Sequence, residues 1–386
     1  MKIIKKSYKF ELHPNKEQKT LLDKHFGCNR FVFNYFLNQR KDEYLNNKKT
    51  LTYNTQAKSL TKLKKLEEYE WLKEINSQSL QHSLRHLDTA YVNFFRKTAK
   101  FPRFKSKKDK NSFHIPQHIV LENKKLYLPK FKSGIKVNLY LDNITNIRNC
   151  SISKTPLGKY YVSFLCEVEY NPKPKTGKSV GIDLGLKDFV ITSDEKVYEN
   201  HKYTKKYEKE LRKLQQHLSR KVKGSSNKDK ARLKVAKLHQ KISNSRGDLL
   251  HKVSCELVNN YDVICSEDLN VKGMVKNHHL SKFISDVAWG TFLIYLKYKC
   301  EWNDKKLVKI DRFFPSSKMC NKCNHINQDL TLKVREWTCP SCNTIHNRDI
   351  NASKNILREG LNLLSLGTSD YTCGGGGYEA SEARNN

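Results

Sequence analysis

The stretch SVGIDLGLKDFVITS, residues 179–193, decides how the rest of the chain is read. Its apolar residues predict a strand, a tight turn and a second strand. Asp183 sits inside the first of these, between Ile182 and Leu184. A carboxylate in an apolar strand is costly unless a cation or a hydrogen-bond donor faces it. Gly181 and Gly185 flank the acid and are expected to leave room for a phosphate or metal near the backbone. Taken alone, Asp183 reads equally well as a turn residue.

Two further acids fit the same chemistry. Asp262 to Ser266 predicts an apolar strand, and Glu267 stands at its end, where side chains meet solvent at a sheet edge. Glu267 or its neighbour Asp268 serves equally as a cap of the next turn. Asp349 precedes a helix expected over Ile350 to Arg358, where its plain reading is an N-cap. Phosphodiester cleavage by two divalent ions about 3.5–4 Å apart needs carboxylates converging from different elements. Magnesium suits such a site because it prefers oxygen ligands and is held by a few carboxylates plus substrate. The order strand-Asp, strand-Glu, helix-start Asp matches the ribonuclease-H layout. There the two acid-bearing strands lie side by side and the helix brings the third acid across.

Cys320-x-x-Cys323 and Cys339-Pro340-Ser341-Cys342 lie between the second and third acids, separated by 15 residues, Asn324 to Thr338. Two such knuckles at that distance predict one tetrahedral zinc with four thiolates. A closed four-sulfur site has no open position, so the zinc is structural. It would hold a segment too short for its own core. His325 and His346 are read as non-ligands because the cysteines already fill the shell.

Upstream, Ile3 to Leu12 predicts a strand broken by Pro14-Asn15, followed by a helix from about Lys16 to Leu45. A second helical stretch is expected from Tyr53 to about Lys73, with Leu60, Leu63 and Leu66 on one stripe. A third starts at Ser77 and carries Leu80, Leu84, Leu87, Tyr91 and Phe95 at spacings of three and four. Phe101-Pro102-Arg103-Phe104-Lys105 ends this bundle. About ten short alternating runs between Phe113 and Tyr170 predict strands that pair with the N-terminal one in a barrel or sandwich. The linker Asn171 to Gly177 marks a domain boundary. Past Asp183, a short strand near Val197 precedes two basic helices, Tyr203 to Val222 and Lys228 to Asn259. They are expected to pack through Leu211, Leu214, Leu218 and Val222 against Leu238, Ile242, Leu249 and Val253. A helix from Ser281 to Trp302 and a strand from Leu307 to Ile310 follow. The tail from Thr368, with four glycines from Gly374 to Gly377, has the composition of a disordered segment.

Composition narrows the function. The 386 residues hold 73 Lys and Arg against 39 Asp and Glu, a net charge of +34 spread along nearly the whole chain. A compact protein so charged repels itself unless it meets a polyanion. No apolar run approaches the ~18 residues of a membrane span, and the start lacks the apolar stretch of a signal peptide. A nucleic-acid binder in the bacterial cytoplasm, associated with the nucleoid, is the expectation. A ribosome-type basic protein would need no acidic site. Of the 11 cysteines, Cys28, Cys150, Cys166, Cys255, Cys265, Cys300 and Cys373 are scattered and read mostly as small core residues in a reducing compartment.

The motifs become specific together. GIDLGLKDFVIT (181–192), ICSEDLNVKGM (264–274) and HNRDINASKNIL (346–357) resemble the three RuvC-type motifs of the TnpB family. These are transposon-encoded RNA-guided nucleases related to the small type V CRISPR effectors. FFPSSKMCNKCN (313–324) and REWTCPSC (335–342) are similar to that family's zinc region, and FGCNRFVFNYFLNQR (26–40) to its opening helix. The resemblance covers most of Met1 to Leu357.

It implies an α/β fold: a RuvC-like, ribonuclease-H-like nuclease domain (173–311 and 345–366) with an inserted helical hairpin and a zinc ribbon (312–344). A β-barrel wedge domain (1–14 and 101–172) with an inserted helical recognition bundle (15–100) precedes it, and a tail (367–386) follows. Asp183, Glu267 and Asp349 are implied as ligands of two catalytic Mg²⁺ ions, for which Mn²⁺ can substitute. Asp183 would bridge both ions, Glu267 would serve the one beside the attacking water, and Asp349 the one on the leaving-group side. Arg335 and Arg348 are candidates to steady charge on the cleaved phosphate, although a surface arginine of the zinc region is the plainer reading of each. The implied partners are a guide RNA and a double-stranded DNA target, with a short flanking motif read directly. Asn76, Ser77, Gln78 and Gln81 are candidates for that reading, since Gln pairs bidentately with adenine. Lys105 and Lys107 are candidate phosphate contacts, and Tyr53, Phe101 and Phe104 candidate stacking residues. The alternative is an RNA-free transposase or resolvase using the same acids, which would be expected to carry a helix-turn-helix or a dimerisation helix.

Overall fold

Alternation shapes the start of the chain. In β1 (Lys2–His13), Phe10 and Leu12 point inward while Lys9 and His13 stay exposed. Asn15 then caps α1 (Lys16–Asn47) in a reciprocal capping box with Gln18, the arrangement that satisfies two orphan donors at once. The computed structural model describes residues 1–141, 144–277, 280–331 and 334–367. It divides into two compact units, Ile3–Glu169 and a second that takes in Met1–Lys2 and the described residues from Tyr170 onward.

In the first unit the expected helix from Tyr53 to Lys73 is broken. α2 (Tyr53–Leu63) gives way to a 3₁₀ stretch, Glu67–Glu74, before α3 (Ser77–Phe95). The turn sends Leu72 and Ile75 into the core and leaves Leu66 exposed, off the expected stripe. Burying those two side chains outweighs continuing the helix. Phe95, also expected on a packed stripe, is exposed.

The strands β2 (Asn111–Ile115), β3 (Val120–Glu122), β4 (Lys125–Tyr127), β5 (Ile135–Asn138), β6 (Ile147–Lys154) and β7 (Tyr160–Tyr170) join β1 in one sheet of order β2-β6-β7-β1-β5-β4-β3. The expected barrel or sandwich is therefore a curled half-barrel with β2 and β3 at its edges, and among the described residues the ten-odd expected runs are six strands. Its inner face, with Leu12, Ile135, Val162 and Phe164, packs on Leu22 and Phe26 of α1.

The second unit is built on β8 (Ser179–Leu184), β9 (Asp188–Thr192), β10 (Val197–Glu199), α4 (Tyr203–Lys206), α5 (Glu208–Ser219), α6 (Ser226–Asn260), β11 (Val263–Glu267), α7 (Val271–Met274), α8 (Ser281–Val287), α9 (Trp289–Trp302), β12 (Lys306–Ile310), β13 (Glu336–Thr338), β14 (Ile345–Asn347) and α10 (Arg348–Ser365). The central sheet has the order β10-β9-β8-β11-β12. β8, β11 and β12 run parallel, while β9 pairs antiparallel with both β8 and β10. One face carries Val180, Ile182 and Ile264 against Val253 and Leu257 of α6 and Phe292 and Leu296 of α9. The other carries Cys265, Val308 and Ile310 against Ile356 of α10. The result is an α/β/α sandwich.

Two helical expectations change here. The stretch Ser281–Trp302 breaks at Ala288, whose φ of 56° puts it in the left-handed region. The first arm of the basic hairpin ends at Ser219, so Val222 is exposed rather than packed, and α5 buries no side chain fully. The tail from Thr368, with Cys373, lies outside the described residues.

Candidate active site

Strand alternation puts two of the three acids on one face. On β8, Val180 and Ile182 point into the α6 and α9 core, so Gly181 and Asp183 point the other way. On β11, Ile264 joins the same core and Cys265 packs under α10, which places Glu267 on the α10 side as well. The two strands are parallel neighbours, with Cys265 opposite Gly181 and Ser266 opposite Ile182. Asp183 and Glu267 are therefore each one step beyond the last of these pairs, at the same end of the sheet.

α10 delivers the third acid. A Cβ on Gly181 would lie 2.1 Å from the Ser353 carbonyl oxygen and 2.6 Å from Leu357 N, and one on Gly360 would lie 2.3 Å from Cys265 Sγ. The helix thus lies backbone-close across β8 and then β11. Asp349 sits one turn, about 6 Å, ahead of Ser353 along the axis, toward the end of the sheet that holds Asp183. This corrects the expectation for Gly181: its missing side chain admits α10, not a phosphate. Gly185 serves the tight β8–β9 turn, where a Cβ would meet the Asp188 carbonyl at 2.7 Å. Asp349 is not the N-cap either. Asn347 fills that position, its Oδ1 accepting from the N–H groups of Asp349 and Ile350 at 3.2 Å each.

The three acids feel one another. Burial, reinforced by the charges of Glu267 and Asp349, pushes the Asp183 carboxyl up to about 7, against the pull of the Leu184 N–H and Arg348. Like charges gathered in a half-buried site have this effect, and a cation relieves it. The donor set, three carboxylates and no thiol or imidazole, is that of a hard divalent ion. Two of the three also have donors of their own. Glu267 accepts a hydrogen bond from Ser316 Oγ at 2.5 Å. Both oxygens of Asp349 accept from Arg335 Nη1, at 3.1 and 3.2 Å.

The cysteine turns fold as mirrored knuckles. Cys320 Sγ lies 3.6 Å from Cys342 Sγ, and Cys323 Sγ 3.5 Å from Cys339 Sγ. Each knuckle closes with a left-handed asparagine, Asn324 (φ 65°) and Asn343 (φ 54°), a residue type that tolerates that conformation. Their N–H groups donate to the carbonyls of Cys320 and Cys339. Leu330 and Trp337 complete a small core around the sulfurs. Four converging thiols in a segment this poor in apolar residues fit a structural zinc. His325 is exposed. His346 lies beside the quartet, its Nε2 3.0 Å from Cys320 Sγ and its ring against Trp337.

Sequence reasoning missed how the ribbon is fastened. Asn351 donates to the Met319 carbonyl and accepts from Asn321 N–H, Asn355 donates to the carbonyls of Ser316 and Met319, and Arg358 donates to the Asn321 carbonyl. Arg348, expected at the surface, is buried; it donates to the Thr331 carbonyl and to Ser317 Oγ. Arg348, Asn351, Asn355 and Arg358 recur at spacings of three and four, a polar stripe that the sequence displays openly.

The proposed reading residues fare unevenly. Asn76 is buried as the cap of α3: its Oδ1 accepts from the N–H groups of Gln78 and Ser79, and its own N–H donates to His25 Nε2. Its side chain is used within the fold, which corrects its candidacy. Ser77 and Gln81 are exposed, and Gln78 is half-buried. Lys105 extends its Nζ over the Phe33 ring at 4.0 Å, and Lys107 is exposed. Phe101 packs edge-on against Tyr91 and Phe94. Tyr53 and Phe104 lie under Arg85 and Lys41.

Comparison with known proteins gives three family matches. A family described as "Probable transposase" matches residues 163–278, and one described as "Cas12f1-like, TNB domain" matches 289–356. The third, described as "Helix-turn-helix domain", matches residues 1–49, which here form β1 and the single helix α1. A "Putative RNA-guided DNA endonuclease" of Streptomyces pristinaespiralis is 38% identical over 371 residues, covering 95% of this chain and 92% of that protein. Its namesake InsQ of Escherichia coli K12 is 33% identical over 384 residues, covering 94% of each. A Cas12f1–sgRNA–target DNA complex aligns with a TM-score of 0.49 and 13% identity, over 92% of this chain and 98% of that one.

Proposed function

The chain belongs to the TnpB family of RNA-guided DNA endonucleases, and on that footing we propose that it is a transposon-encoded enzyme that cuts DNA beside a short flanking motif, guided by an RNA. The observation that carries the reading is the gathering of Asp183, Glu267 and Asp349 on one face at one end of the central sheet. We assign the metal-ligand role to these three acids and the zinc to Cys320, Cys323, Cys339 and Cys342. Two Mg²⁺ ions, when bound, would polarise the scissile phosphate and lower the pKa of the attacking water.

The chain's own residues do the rest. Gly181 and Gly360 let α10 lie close enough to aim Asp349. Ser316 orients Glu267. Arg335, the more exposed of the two candidate arginines, is the one suited to meet a phosphate. In this assignment residues 173–311 and 345–366 are the RuvC-like domain and 312–344 the zinc ribbon. Residues 1–14 and 101–172 form the wedge, and 15–100 the recognition bundle. Ser77, Gln78, Gln81, Lys105 and Lys107 remain as candidates to touch the flanking DNA. The site of action is then the bacterial nucleoid. Among the described residues, no helix is long and apolar enough to cross a membrane.

The test is to purify the protein from its host and sequence the RNA bound to it. One discrete RNA with a constant part and a short variable end is expected, and it names a DNA target. That target should be cut in Mg²⁺ by the wild type and left intact by Asp183→Ala. Random RNA fragments, or cleavage that ignores the RNA, would return the protein to the RNA-free transposase class.

A further inference from the structure

Two of the three acids are held by residues of the segment 312–344 that carries the cysteines. Ser316 donates to Glu267, and Arg335 bridges both oxygens of Asp349. Arg335 directly precedes β13, whose Glu336 pairs with Asn347, and the Arg335 carbonyl accepts from Arg348 N–H at 2.7 Å. Its backbone is therefore clamped at the start of α10. Its side chain is about half exposed and can swing, whereas the Asp349 side chain is only 22% exposed. A guanidinium on both oxygens of a carboxylate occupies the lone pairs that a divalent ion would use.

We propose that Arg335 is a resting-state counter-ion for the active site. It competes with the catalytic cation for Asp349, so the metal site closes only when something more anionic draws the guanidinium away. Substrate phosphate is the group of that chemistry: a guanidinium donates to phosphate oxygens as it does to those of a carboxylate. Metal loading and substrate arrival become coupled, and the nucleic-acid-free protein stays poorly loaded with its cation. The inference rests on the reading of Asp183, Glu267 and Asp349 as metal ligands.

The test is a Mn²⁺ titration of the zinc-loaded full chain without nucleic acid, following the free-ion signal by electron paramagnetic resonance. Zinc content, measured on each variant, reports that the ribbon is intact. Asp349→Asn should weaken Mn²⁺ binding. Arg335→Gln should strengthen it, by about fivefold given the partial exposure of the pair. Arg335→Lys, which keeps the charge on a shorter side chain without the guanidinium, should fall between Arg335→Gln and the wild type. Lys354→Gln removes an equal charge from α10 without touching Asp349, and should leave affinity unchanged. A merely structural arginine predicts weaker binding on its removal, so the direction of the change decides. Affinity in Arg335→Gln that is equal to or below wild type overturns the counter-ion role. So does an equal gain in Lys354→Gln. Unchanged affinity in Asp349→Asn instead removes the three-acid reading, and the inference falls with it.

Discussion

Asp183 sets the pH behaviour of the site. Its folded pKa of about 7 lies above its ordinary value of 3.8, so the fold favours the neutral carboxyl. The stability this contributes is fully present below about pH 4 and is lost as pH rises through about 7. Without added divalent ions, the melting temperature of the wild type should therefore fall relative to Asp183→Asn between pH 5 and pH 8. Mg²⁺ should reverse the trend by favouring the charged form. Paired thermal melts check this, and a difference that stays flat with pH would show that Asp183 is not held in that environment. Gly181 gives a second test. An added Cβ meets backbone atoms of α10, which cannot rotate away, so Gly181→Ala should cost about 3 kcal/mol of stability and most of the activity. Gly360→Ala meets the Cys265 side chain instead, at 2.3 Å from Sγ and 2.7 Å from Cβ, and the double variant with Cys265→Gly, which removes both atoms, should recover part of the loss. Denaturant unfolding of the single and double variants measures both.

At the scale of elements, α10 touches every part of the site. Its apolar side packs on the sheet, its glycine closes on β11, its first turn carries Asp349, and its polar stripe grips the ribbon. Replacing Cys320 or Cys339 with Ser should abolish bound zinc and collapse the ribbon's small core. Cleavage should then be lost, because Ser316 and Arg335 lose their footing beside the acids. Metal analysis alongside a cleavage assay tests this; full activity in a zinc-free variant would uncouple the ribbon from the acids. Much of this was legible in the chain. The strands bearing Asp183 and Glu267, the four-cysteine spacing and the helix carrying Asp349 follow from local pattern. What was hidden depends on contacts between distant residues. Leu72 and Ile75 break a helix by burial, Ala288 interrupts another with a left-handed turn, and the open edges of the half-barrel depend on pairing that alternation alone does not specify. The need for space at Gly181 is local. What fills that space lies 172 residues further on, at Ser353, and no local pattern reports it.

For the whole molecule, charge is the governing quantity. With +34 spread along the chain, binding to DNA should weaken steeply with salt, with a log–log slope near −0.9 for each phosphate contacted on duplex DNA. Filter binding from low to high salt would show it, and a shallow slope would mean that few of the lysines and arginines face nucleic acid. The separation of the acids along the chain has one more consequence, for the protein as it is made. Asp349 is added 166 residues after Asp183, which at about 5–20 residues per second takes a ribosome on the order of ten to thirty seconds. The strands bearing Asp183 and Glu267 emerge first, then the ribbon, and the last carboxylate only with α10. A chain still being translated therefore lacks its third acid throughout that interval, and a message truncated before α10 yields a product with at most two of the three acids.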